Sequence, residues 1–422
     1  MHPKDISISD FTYHLPEEKI AAFPLTERDA SKLLLYKDGV ISQDIYKNIA
    51  AHIPEKSLLV FNNTKVIQAR ILFKKATGGV IEIFCLEPYQ EMNEYNVVMN
   101  KKKSVKWKCM IGGAGKWKGG PLSKKSAISN QVPEIKATVI EKLSDTYVIE
   151  FSWQPADYTF AEVLGLFGDM PLPPYIKRKA NIQDKERYQT IYAKQQGSVA
   201  APTAGLHFTE NILRDLEEKN IIKSYITLHV GAGTFKPVKA KTLHGHEMHS
   251  EWMEVSFETI QLLLNNAGNT IIATGTTSLR TIESLYWIGV KTMLNPAIKN
   301  DELIIRQWDV YELPLSATKF SASASLQSLL QWMKKNNQQR ILTATQILIA
   351  PGYQYKIANA IITNFHQPQS TLLLLVAAAV GDDWKKIYNY AMENDFRFLS
   401  YGDGSLLFPI PAGGRGEIFI GP

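Results

Sequence analysis

The sequence predicts an α/β protein: a main domain built on a mixed, largely parallel sheet, with a small β-barrel domain inserted into it. Three observations predict this. From about Arg70 to Trp153 the apolar runs are all short and strand-like, with Gly, Pro, Asn and Ser between them, a spacing that suits a small barrel or sandwich. After Pro155, helical patterns alternate with apolar strands, which implies a parallel sheet covered by helices. Finally, 422 residues suffice for two or three domains. The expected organisation is a discontinuous α/β domain over 1–69 and 155–422 and a barrel over 70–154. The polar, helix-prone stretch 295–340 reads as a further helical insertion or lid.

In order along the chain, LPEEKIAAF and DIYKNIAAHI carry helical periodicity. SLLVFNNTKV reads as a buried strand ending in a polar turn. The barrel strands are expected at ARILFKK, GVIEIFCLE, YNVVMN, VKWKCMI, ATVIEKL and TYVIEFSW. Thr209 is placed to cap a helix running to about Lys219, where Asn220 can end it. SYITLHV, TIIATG and AIITNF are the main-domain strands. Ser370 caps an almost wholly apolar helix, which must be buried.

Composition narrows the function. The hydrophobic fraction is 45% and the charged fraction 21%, ordinary for a globular protein. The only cysteines are Cys85 and Cys109, which make neither a disulfide framework nor a Cys-rich zinc site and fit a reducing interior. The N-terminus has no signal-peptide pattern. The longest apolar run, Leu372 to Val380, is too short to span a bilayer. A cytoplasmic protein without membrane contact is expected. The net charge of +6 permits a polyanionic partner. Lysines crowd KKKSVKWKCMIGGAGKWKGG together with Trp107 and Trp117. That mixture suits RNA, through phosphate contacts and ring stacking, and equally suits a solvated edge guarded by lysines.

Polar loops at strand ends supply the candidate site, because ligands of open α/β sheets bind at that edge. APTAGLHF brings Thr203, Gly205 and His207 to a helix N-terminus. LHVGAGTF brings His229, Gly231, Gly233 and Thr234, without the third glycine of a dinucleotide fingerprint. ATGTTSLR brings Gly275, Thr276 and Arg280. TNFHQPQS brings Asn364, His366 and Ser370, and FLSYGDG brings Tyr401 and Asp403. Their convergence on one concave site is expected from topology. LHGHEMHSEW adds His249, whose run lacks a zinc-ligand spacing, so no metal is expected and proton transfer is preferred.

These motifs together resemble the S-adenosylmethionine:tRNA ribosyltransferase-isomerase family of queuosine biosynthesis. The matching runs are LPEEKIAAFP, SLLVFNNTKVIQARI, PLPPYIKR, ERYQTIYAKQQGSVAAPTAGLHFT, ITLHVGAGTFKPV, HEMHSEW, ATGTTSLRTIES, ITNFHQPQSTLLLLV and RFLSYGDG, in order over nearly the whole chain. The resemblance implies that the ribosyl part of S-adenosylmethionine is transferred and isomerised onto 7-aminomethyl-7-deazaguanine at the tRNA wobble position. The products would be epoxyqueuosine-tRNA, adenine and methionine. S-adenosylmethionine would be a consumed substrate, with no further cofactor, and a monomer is favoured. His207, His229, His249 and His366 are the candidates for the proton transfers. A methyltransferase on a similar scaffold would yield S-adenosylhomocysteine instead. The chain departs from the family pattern at Asn63 and Lys65 (usually Asp and Arg), Gln367 (usually Leu) and Gly404 (usually Ala).

Overall fold

The structure, a computed structural model, describes residues 2–75, 77–90, 95–126, 133–231, 238 and 240–409. The chain divides into two compact units: Met1–Asn63, Pro202–Leu228 and Phe235–Pro422 in the first, Thr64–Ala201 and His229–Thr234 in the second.

In the first unit a sheet is ordered Arg340–Thr345, Glu251–Ser256, Ile222–Leu228, Leu58–Asn62, Ile271–Thr274, Ala360–Asn364, Gly404–Leu407, Lys32–Lys37, Val40–Ile45. Four adjacent strands, from Ile222–Leu228 to Ala360–Asn364, run parallel. Leu58 to Phe61, Ile272, Ala273, Ile361 and Ile362 are fully buried, as continuous apolar runs in a parallel sheet should be. The flanks are antiparallel at four pairings, so the sheet is more mixed than expected. One cause is local: Asp38 and Gly39, with φ of 51° and 79°, make a tight hairpin between Lys32–Lys37 and Val40–Ile45.

Thr209 caps the helix Glu210–Glu218 by accepting from the Ile212 amide, and Asn220 turns left-handed after it. Ser370 caps Thr371–Val380, buried from Leu373 onward. The two early helical expectations shrink. LPEEKIAAF holds one 3-10 turn, Glu17–Lys19, and the other run gives a 3-10 turn, Tyr46–Asn48, and four α-helical residues, Ile49–His52. Such short pieces rest on tertiary packing, because a helix of this length cannot stand alone. In the 295–340 stretch, Ala322–Lys335 packs on Thr276–Leu294: the Thr292 and Ser328 hydroxyls meet at 2.8 Å.

The second unit holds an antiparallel sheet ordered Gly168–Asp169, Arg70–Lys74, Val80–Pro88, Ser104–Gly112, Tyr147–Gln154, Glu134–Lys142, Leu122–Lys125. Its inner face is Phe73, Ile83, Trp107, Cys109, Phe151 and Ala137, all fully buried. The sheet curls. Lys124 Nζ on one edge strand donates to the Phe167 carbonyl at 2.9 Å, next to the opposite edge strand. Two expectations are corrected here. YNVVMN is not a strand: Tyr95–Met99 is a helix, because Tyr95, Val98 and Met99 at i, i+3 and i+4 are the residues it buries. Trp107 is core and offers no ring to a base. Among the described residues no helix is long and apolar enough to cross a membrane.

Candidate functional site

The C-terminal ends of the parallel strands carry the site in the first unit. Asn364, the last residue of its strand, is the hub. Its Oδ1 accepts from Thr203 Oγ1 at 2.7 Å, and its Nδ2 faces the Asp403 carbonyl and His207 Nε2, each at 3.4 Å. The Asp403 carbonyl can only accept, so the amide must present its NH2 there. His207 Nδ1 faces the Arg28 carbonyl at 3.4 Å. A carbonyl again only accepts, so the neutral imidazole carries its proton on Nδ1 and its lone pair on Nε2. Burial pulls the His207 imidazole down to about 4, opposed by the Asp403 charge and the Arg28 carbonyl and aided by the Arg397 and Arg28 charges. At neutral pH His207 is therefore a buried neutral imidazole whose Nε2 lone pair faces the Asn364 amide.

The surroundings of His207 are built from far along the chain. The Tyr46 ring lies 4.5 Å from the imidazole, and its hydroxyl donates to the Ala204 carbonyl at 3.1 Å. Arg28 donates to the Leu206 carbonyl at 3.2 Å. Asp403 is braced by the Arg397 and Lys32 amides at 2.7 and 3.1 Å and by the Arg397 guanidinium at 3.1 Å. Gly205 and Tyr401 are buried beside this cluster in sequence. Arg28 and Tyr46 carried no signal in the sequence, because nothing in their own neighbourhood points to a site some 160 to 180 positions away.

Gly404 is what admits Tyr46. A Cβ at this position would lie 2.7 Å from Tyr46 Cε2, far inside ordinary contact. Gly404→Ala is therefore expected to push the ring off His207. The displacement is read from the ring-current shift on the His207 imidazole protons in NMR spectra, which is expected to disappear. Unchanged shifts would show that the Tyr46 ring does not hold His207.

The other first-unit candidates divide. His366 is held at one ring nitrogen and at its backbone: Nε2 meets Thr363 Oγ1 at 2.8 Å, its amide donates to Tyr388 Oη at 3.0 Å, and its carbonyl accepts from Tyr13. Burial takes it down to about 3. Arg280 is buried in an ion pair with Glu251 and reaches the Ile347 carbonyl at 3.3 Å. Ser370 spends its hydroxyl on the Leu373 amide and the Gln367 carbonyl. His249 is exposed, near His246. Gly275 and Thr276 open the helix Thr276–Leu294, which has no side-chain cap. The hydroxyl oxygens of Thr274 and Thr277, on either side of Gly275, are buried without a hydrogen-bond partner among the described residues. Free amides and unspent hydroxyls at a helix N-terminus suit a carboxylate.

In the second unit, His229 stacks on Tyr95 with ring centroids 4.3 Å apart and planes 9° from parallel. Gly197, at φ +131°, lies against the edge of this stack: a Cβ there would lie 2.5 Å from Tyr95 Cδ1 and 2.9 Å from His229 Nδ1. Burial pulls His229 down to about 4, and its Nδ1 has no partner among the described residues. Ser198 Oγ receives the Val230 amide at 3.1 Å, fixing the approach to Gly231. Gly233 and Thr234 lie outside the described residues. Among the described residues, no three His, Cys, Asp or Glu side chains gather as a metal site.

The model of the queuosine biosynthesis protein family matches residues 8–407. The chain belongs to that family. It is accordingly an enzyme of queuosine biosynthesis and of tRNA modification. The chain is also similar to the crystal structure of an S-adenosylmethionine tRNA ribosyltransferase from Thermotoga maritima. The two are 27% identical over 94% of this chain and 99% of that one, with a TM-score of 0.44.

Proposed function

We propose that the protein transfers and isomerises the ribosyl group of S-adenosylmethionine onto 7-aminomethyl-7-deazaguanine at the wobble position of tRNA. Epoxyqueuosine-tRNA forms, and adenine and methionine leave. The observation that carries this reading is the family match across residues 8–407, and the Thermotoga protein's name supplies the donor and the acceptor. S-adenosylmethionine is consumed as substrate, with no other cofactor and no metal. The sheet of the second unit, with the strands of 70–154 closed by Gly168–Asp169, serves as a barrel-like domain, and the enzyme works as a cytoplasmic monomer.

The geometry supports named roles. The sulfonium acidifies the C5′ protons of its ribose, and a base beside it must be uncharged, because an imidazolium would repel the cation. His207 meets that requirement, with Nε2 as the accepting atom once the long Asn364 contact yields to the substrate. Asn364, Thr203 and Asp403 fix its tautomer and orientation, and Tyr46 fixes its plane. The methionine carboxylate is placed at the N-terminus of Thr276–Leu294, on Gly275, Thr276 and the Thr274 and Thr277 hydroxyls. Arg280 is given up for that contact because Glu251 already neutralises it. His229, stacked and neutral, is the second candidate for proton transfer or for hydrogen bonding to a base, with Gly231, Gly233 and Thr234 following it in the sequence. His249 and His366 keep supporting roles: His366 holds the loop after Asn364, as do Ser370 through its cap and Tyr401 by its burial.

Isotope placement tests this reading. With S-adenosylmethionine labelled in the ribose carbons, the label is expected in tRNA and unlabelled adenine in solution. Methyl label in tRNA with S-adenosylhomocysteine released would make the protein a methyltransferase.

A further inference from the structure

The positive charge of this chain is concentrated in one segment. Residues 101–142 contain eleven lysines and two glutamates, with no arginine or aspartate, a net of +9. The whole chain carries only +6, so everything outside the segment sums to −3. The segment supplies three of the last four strands of the curled sheet: Ser104–Gly112 on one side of Tyr147–Gln154, and Glu134–Lys142 and Leu122–Lys125 on the other.

Strand register decides where the lysines point. Across the sheet, Lys106 is in line with Glu150 and Thr138, Ser104 with Ser152, Lys136 and Ser123, and Lys125 with Glu134. Successive residues alternate faces. The intervening Val105, Trp107, Ile135, Ala137 and Phe151 are buried, so this set faces outward. Lys103, Lys106, Lys125 and Lys136 are exposed, and none has a carboxylate within ion-pair distance among the described residues. Lys108, by contrast, pairs with Glu87 at 3.0 Å. Lys106 and Lys136 sit two strands and two residues apart, about 12 Å from strand geometry. Charges at that spacing fit an extended chain of anions better than one small anion.

We infer that this outward face docks the phosphodiester backbone of tRNA, which rests on the reading of the protein as a tRNA-modifying enzyme. The residue choice favours RNA backbone over base-specific contact or lipid. Lysine is a point charge without the arginine fork that reads base edges or clamps phosphate bidentately. Ser104, Ser123, Thr138 and Ser152 lie among the lysines, where their hydroxyls donate to phosphate oxygens, and among the described residues the exposed apolar side chains nearby are only Val139 and Ile140, too few for a membrane-inserting face. Glu134 and Glu150 share the face and keep its attraction moderate.

The test compares a quadruple variant, K103Q/K106Q/K125Q/K136Q, with a control that removes four exposed lysines of the other unit, K47Q/K241Q/K319Q/K335Q. Binding of unmodified tRNA is measured by fluorescence anisotropy across a potassium chloride series. The face variant is expected to bind about tenfold or more weakly, with a log–log salt slope shallower by about 3. The control is expected to keep the wild-type slope. Equal slopes for both variants would overturn the inference, and so would loss of binding to phosphatidylserine vesicles with tRNA binding intact. The two readings fail separately. A wild type that binds tRNA through these lysines yet releases no adenine would leave the surface standing and remove the reaction. A wild type that turns over while the face variant binds normally would do the reverse.

Discussion

His207→Ala is expected to lower adenine release by about a hundredfold to ten-thousandfold, the range of one general acid or base, while tRNA affinity stays at the wild-type value. The reasoning is local. Nε2 of His207 holds the lone pair because Nδ1 faces the Arg28 carbonyl. Asn364 aims that atom, and the Tyr46 ring fixes the plane. His207→Asn serves as a second variant, because it retains a polar group in the buried space. Both are read by single-turnover adenine release, with circular dichroism to confirm folding. Wild-type rates in both would remove His207 from the chemistry and leave His229 as the first candidate. Because burial already holds His207 at about 4, the wild-type rate is expected to show no loss from this group between pH 8 and pH 6. A loss appears only as pH approaches 4.

The same histidines make the fold sensitive to acid. His207 and His366 in the first unit are held at about 4 and about 3, and His229 in the second at about 4, all by burial of a neutral ring. In an unfolded chain each would titrate near 6.5. From about pH 6.5 down to about 4, the unfolded chain therefore binds protons that the native one refuses. Stability falls as pH falls, by about 1.4 kcal/mol per pH unit for each histidine. That is about 2.7 kcal/mol per unit for the first unit and about 1.4 for the second. By pH 4 that amounts to about 7 kcal/mol for the first unit and about 3.5 for the second, against total stabilities of about 5–15 kcal/mol, so the first unit is the one expected to approach unfolding. Denaturant titrations at half-unit steps from pH 7.5 to pH 4.5 check this, and His366→Gln should flatten the first unit's slope. A stability constant across that range would mean that the rings are protonated or hydrated in the native state.

Caps and apolar runs were legible in the sequence because their causes are local. Thr209 and Ser370 each serve the helix that begins one residue later, and Leu58 to Phe61 are apolar because both faces of their strand are covered. The meeting of Thr203, His207, Asn364 and Asp403 was legible in outline, since all lie in polar loops bordering strands. What the sequence hid depends on distance or on helix phase. Arg28 and Tyr46 reach His207 only through the fold. Tyr95 sits in a valine-rich run that looks extended, yet its i, i+3, i+4 burial makes a helix and brings it onto His229. Trp107 looked like a stacking platform among lysines, but alternation turns it inward while Lys106 faces out. Arg280 looked available on its helix until Glu251, from the strand Glu251–Ser256, took it.

The central claim is a ribosyl transfer, and the nucleoside formed decides it. The purified protein should be incubated with S-adenosylmethionine and tRNA carrying 7-aminomethyl-7-deazaguanine, and the digested nucleosides and small products analysed by mass spectrometry. Epoxyqueuosine in the tRNA, with adenine and methionine released in equal amounts, is the predicted result. An unchanged aminomethyl-deazaguanine nucleoside with S-adenosylmethionine intact, from a protein that still binds the tRNA, would contradict it.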